Sequence, residues 1–122
     1  MTTNELKLRT KKFSILIIDL VEKLPNTIAG KTIANQIIRS GTSVGANYRA
    51  VCRARSDKEF ISKMNIVLEE ADETMFWLEL IIERKWFDEN EILRLLDEGN
   101  QLTAIFVSSL KTVNARISNA KI

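Results

Sequence analysis

No histidine occurs in the 122 residues, and there is only one cysteine, one proline and four glycines. Without histidine, the Glu-x-x-His di-iron pair of helical bundles is excluded, as are the common catalytic zinc sites and the Ser-His-Asp triad. Cys52 alone cannot close an internal disulfide, and no imidazole is present to activate it, so a structural thiol is its expected role. No stretch reaches the roughly 20 apolar residues of a membrane-spanning helix. Asp19 and Glu22 interrupt the apolar run that follows Lys11 and Lys12, which argues against a secretory leader. A cytoplasmic protein without membrane contact is expected. The scarcity of proline and glycine, with no sustained apolar-polar alternation, leaves little room for strands or long loops.

What the chain does contain is helical periodicity. Phe13, Leu16, Ile17, Leu20, Val21 and Leu24 fall on one face of a helix predicted over about 5–24, and Pro25 ends it because the residue before proline is pushed out of the helical region. A second helix, about 31–53, carries Ile33, Ile37, Gly41, Val44, Tyr48 and Cys52 in register. Ser56 with Glu59 has the form of a capping box and opens a third helix toward Glu83, with Phe60, Met64, Leu68, Ala71, Met75, Leu78 and Ile82 inward. Asp88, followed by Glu89 and Glu91, opens a fourth, whose stripe runs from Ile92 through Leu96, Gly99, Leu102, Phe106, Leu110 and Val113 to Ile117. Four amphipathic helices joined by short turns predict an all-α antiparallel up-down four-helix bundle, one domain over residues 1–122.

One stretch breaks the local rules. Residues 40–47 read S-G-T-S-V-G-A-N, a composition suited to a loop, yet the apolar register runs straight through it from Ile37 to Cys52. A helix is therefore predicted, with Gly41 and Gly45 allowing a neighbouring backbone to approach closely at about 1 kcal/mol each in helix propensity. Asn47, Thr42 and Ser43 are expected to bond locally, Asn47 belonging to the same close-packed stretch. A phosphate-binding loop is the rival, but no G-x-x-x-x-G-K-[ST] pattern or preceding strand accompanies these glycines.

Charge is unevenly spread: residues 1–63 hold twelve basic and five acidic side chains and residues 64–122 hold six and eleven, so the halves carry +7 and −5 within a total of +2. Arg39, Arg49 and Arg53 project within an arc of about 80° on the second helix, while Lys7, Arg9, Lys11 and Lys12 crowd the start of the first. Lys11, Lys12, Arg39, Arg49 and Arg53 are the candidate phosphate contacts for RNA or DNA, and an ordinary solvated face is the alternative. Glu69, Glu70, Asp72 and Glu73 read as a solvated acidic face. Ile15 and Ile18 on helix 1, and Phe76 and Leu80 on helix 3, point away from the core stripes and are candidate subunit-interface residues.

Several motifs together resemble a known family. Leu24-Pro25, the Q-x-x-R-S of Gln36–Ser40, the S-V-x-x-N of Ser43–Asn47, the S-x-x-E-F of Ser56–Phe60 and the E-x-x-E-T-x-x-W-L-E-L of Glu70–Leu80 are similar to those of small four-helix-bundle proteins encoded in intervening sequences of bacterial 23S rRNA genes. The family's commoner N-I-A-E-G is replaced by Asn47-Tyr48-Arg49-Ala50-Val51, which marks a variant branch. The resemblance implies an up-down bundle, homopentameric rings and no catalytic activity. It also implies kinship with the accessory protein of diversity-generating retroelements, a basic pentamer that partners a reverse transcriptase and binds nucleic acid. The resulting expectation is a non-enzymatic, cofactor-free and metal-free homo-oligomer associated with RNA or DNA. A protein-protein interaction scaffold is the alternative.

Overall fold

The computed structural model describes residues 1–120, which form four helices: α1 (Thr3–Val21), α2 (Ile28–Val51), α3 (Asp57–Arg84) and α4 (Glu89–Ala120). Each start has a local cause. Thr2 accepts from the Glu5 amide while Glu5 accepts from the Thr2 amide, a reciprocal cap that begins α1 two residues before the expected point. Thr27 accepts from the Gly30 amide and starts α2 three residues early. Ser56 accepts from the Glu59 amide at 3.1 Å and begins α3 as predicted. α3 ends at Lys85, which takes the left-handed conformation at φ 56° that ordinarily favours glycine.

Each helix packs on the next in the chain, and α4 returns to α1 through the thinnest of the four seams. This is the antiparallel bundle that the periodicity predicts. Phe13 and Ile17 of α1, Ile37 and Val44 of α2, Met64, Val67, Leu78 and Ile81 of α3, and Ile92, Leu102 and Phe106 of α4 are almost wholly buried. Each such side chain contributes roughly 1.5–3 kcal/mol over its exposed state.

The stripes of α1, α3 and α4 differ in detail from the sequence reading; on α4, Leu95 is buried and Leu96 half-buried. On α3 the most buried line is Val67, Thr74 and Ile81 beside Met64, Ala71 and Leu78, whereas Phe60, Leu68 and Ile82 lie half-buried at its edge. The reason is that α3 has neighbours on two sides, α2 and α4, so its buried arc extends toward α2. On α1, Leu16 is 38% exposed because the sparse α1–α4 seam does not cover that flank.

Candidate nucleic-acid interface

The glycine- and hydroxyl-rich stretch is helical throughout, with its polar side chains tied to the preceding turn. Thr42 donates to the Ile38 carbonyl at 2.6 Å, Ser43 to that of Arg39 at 2.6 Å, and the Asn47 amide to that of Ser43 at 2.9 Å. Its glycines face α1. A β-carbon on Gly41 would stand 2.9 Å from two carbons of the buried Ile17 side chain, and one on Gly45 would stand 3.2 Å from the main-chain oxygen of Thr10. Ser14 of α1 spans the same seam, donating to the Thr10 carbonyl at 3.2 Å and lying 3.5 Å from the Gly41 carbonyl.

Above this close approach lies a groove of about 340 Å³, walled by Lys7, Leu8 and Lys11 of α1 and by Gly45, Ala46 and Arg49 of α2. Lys7 and Lys11 are one turn apart, as are Gly45 and Arg49, so both helices turn cations toward one opening. No carboxylate lines the groove, and none of its three cations forms an ion pair among the described residues. Lys12 and Arg53 are exposed but lie outside it.

Arg39 is placed differently. Its guanidinium binds Glu73 and reaches Glu70 at 3.4 Å, both on α3. The 80° arginine arc of α2 therefore spans two seams: Arg49 faces the α1 side and Arg39 the α3 side. Beside Arg39, the Ser40 and Thr74 hydroxyls are wholly buried and 2.9 Å apart, and Thr74 also lies 2.7 Å from the Glu70 carbonyl oxygen. Two of the sequence motifs thus meet each other, R-S of α2 against E-x-x-E-T of α3. Glu70 and Glu73 belong to this seam, while Glu69 and Asp72 remain exposed.

Other charged pairs tie the remaining helices. Arg9 binds Glu98 and Gln101 across the α1–α4 seam, and its hydrogen bond to Glu98 raises the guanidinium pKa. Arg116 of α4 holds the Asp57 carboxyl below its ordinary range through a 2.6 Å hydrogen bond. Burial, reinforced by the adjacent Cys52, pushes the Tyr48 hydroxyl well above its usual range, so it stays protonated. Cys52 is half-buried, and among the described residues no group of three or more His, Cys, Asp or Glu side chains could hold a metal ion.

The outward apolar residues fall on two helices of opposite local charge. Ile15 is 49% exposed with Ile18 half-buried beside it, and Lys11 and Lys12 occupy the preceding turn. Phe76 is 50% exposed, stands edge-on to Trp77 at 5.0 Å, and shares its face with Leu80, Glu69, Asp72, Glu79 and Glu83. The indole N–H of Trp77 is buried and has no acceptor among the described residues.

Lys7, Ser40 and Thr74 are the participants that the candidate set from sequence lacks. The signal for Lys7 was its four-residue spacing from Lys11. For Ser40 and Thr74 it was a polar residue lying in apolar register within a motif.

The family model described as 23S rRNA-intervening sequence protein matches residues 3–108. A solved structure, that of a protein of unknown function from the S23 ribosomal protein family of Bacteroides thetaiotaomicron, is 34% identical, covers 87% of this chain and 98% of its own, and superposes with a TM-score of 0.81. No functionally curated protein matches the chain significantly.

Proposed function

The chain belongs to the 23S rRNA-intervening sequence protein family, and from that premise we propose that it is a non-enzymatic, self-assembling accessory factor that holds nucleic acid, RNA in particular, through phosphate contacts in the cytoplasm. The observation that carries this reading is the convergence of Lys7, Lys11 and Arg49 on one groove free of carboxylates. Cations brought together without internal partners release counterions from a phosphate backbone and so favour polyanions regardless of sequence. Lys12 and Arg53 extend the positive field beyond the groove. Arg39, engaged with Glu70 and Glu73, contributes to the fold instead.

Assembly follows from the two outward apolar faces. Ile15 and Ile18 of one copy meet Phe76 and Leu80 of the next, apolar face against apolar face. Two different patches make a heterologous contact, which closes into a ring when the rotation permits; a homopentamer is the state that the family resemblance implies.

The test has two readings. Light scattering at micromolar concentration should give a mass several times the 13.9 kDa of the chain, and Phe76→Asp should reduce it to one chain with helicity retained. Fluorescence anisotropy should detect binding of rRNA fragments at about 50 mM salt, the range where electrostatic contacts are strongest. An oligomer that binds no RNA there would replace this reading with the interaction scaffold.

A further inference from the structure

The groove between α1 and α2 has a chemistry more specific than a positive patch. Its floor is the buried Gly45, with exposed Ala46 beside it, and its one aliphatic wall, Leu8, is 68% exposed. The two hydroxyls lining it are committed to main chain: Thr10 donates to the Lys7 carbonyl at 3.0 Å and Ser14 to the Thr10 carbonyl. Cations at the rim and an apolar, undirected floor suit a ligand with a flat apolar body between anionic groups. The volume, about 340 Å³, lies at the small end of ligand pockets.

We propose that this groove seats one nucleotide unit of a single-stranded nucleic acid, with the base against Leu8 and Ala46 and the flanking phosphates on Lys7, Lys11 and Arg49. This rests on the nucleic-acid reading above and adds to it the strandedness and the seat. A duplex keeps its base faces stacked inside and can offer the floor nothing, whereas a single strand can turn a base out. Exposed Arg49, which lines the groove, adds a planar cation on which a base can stack. An acidic protein helix fits less well, because it would need apolar anchors at three- and four-residue spacing and the groove presents one exposed aliphatic residue. With no side-chain donor or acceptor left uncommitted in the floor, discrimination among bases is weak.

The experiment uses a labelled oligouridylate of about 12 nucleotides, within the span of common single-strand sites, and an RNA duplex of equal length. The wild-type protein should bind the single strand more tightly. Lys7→Glu with Lys11→Glu should weaken that binding about tenfold or more and lower the log–log salt slope by about 1.4, two phosphates at roughly 0.7 each. Lys58→Glu with Lys111→Glu changes net charge equally at exposed positions outside the groove and should stay within about threefold of wild type. Ala46→Glu, at an exposed position, places a carboxylate in the groove and should reproduce the loss with an unchanged melting temperature. Equal losses in the two double variants, or duplex binding as tight as single-strand binding, would overturn the groove assignment while leaving nucleic-acid association standing. Failure of the wild type to bind either probe would remove both.

Discussion

The two flanks of α2 solve the same packing problem by opposite means. Toward α3, side chains meet: Arg39 engages Glu70 and Glu73, and the Ser40 and Thr74 hydroxyls bond in a buried seam. Toward α1, side chains are withdrawn: Gly41 and Gly45 let the backbones close, and the cations above them have no ion-pair partner among the described residues. Charge and polarity on the first flank are consumed in holding the fold. On the second flank the charge remains available, which is why the candidate interface lies there and not along the whole arginine arc.

The sharpest way to break this contrast is Gly45→Leu. Thr10 main chain leaves no room even for a β-carbon at ordinary distance, and overpacking of this kind costs about 1–3 kcal/mol. A urea midpoint equal to wild type would show that α1 and α2 are not closely packed there. Next comes Thr74→Val, which removes one partner of the buried Ser40 hydroxyl and leaves it the Ile37 carbonyl at 3.4 Å, and should cost about 0.5–1.5 kcal/mol. Adding Ser40→Ala should cost less than its effect in the wild type, because the contact between the two hydroxyls is already gone; additive losses in the double-mutant cycle would mean that the two groups are not coupled. The smallest effect is expected for Arg39→Ala. Its side chain is 52% exposed, and exposed ion pairs contribute about 0–1 kcal/mol. The difference from wild type should shrink in high salt, and a larger, salt-independent loss would place this ion pair among the principal supports of the bundle.

The bundle was legible in the sequence because helical period, caps and the single Leu-Pro break all agreed, and because short turns allow few arrangements of four helices. The helical state of residues 40–47 was legible for the same reason, since Ile37, Val44 and Cys52 keep phase across the glycines. The partner of each helix flank was not. An arc of 80° on α2 locates three arginines relative to their own axis, but only the positions of α1 and α3 divide them into Arg49 beside a groove and Arg39 beside two carboxylates. Lys7 escaped selection because its value comes from Arg49 across the seam, and that proximity is tertiary. Thr74 reads as an ordinary helical threonine until Ser40 stands opposite it.

The thin α1–α4 seam bears on how the chain reaches this state. Three of the four seams join helices consecutive in sequence, across connections no longer than six residues. Each can form as a local hairpin with little loop entropy to overcome. Only the return of α4 to α1, anchored by Arg9 on Glu98, requires residues 89 apart to find one another. Chains whose contacts are mostly local fold in microseconds to milliseconds, and among the described residues the seam between the helices most distant in sequence is the sparsest. Folding is therefore expected to behave as successive docking of hairpins with a late, shallow final step, in which substitutions at Arg9 or Glu98 speed unfolding and leave the folding rate nearly unchanged in stopped-flow measurements.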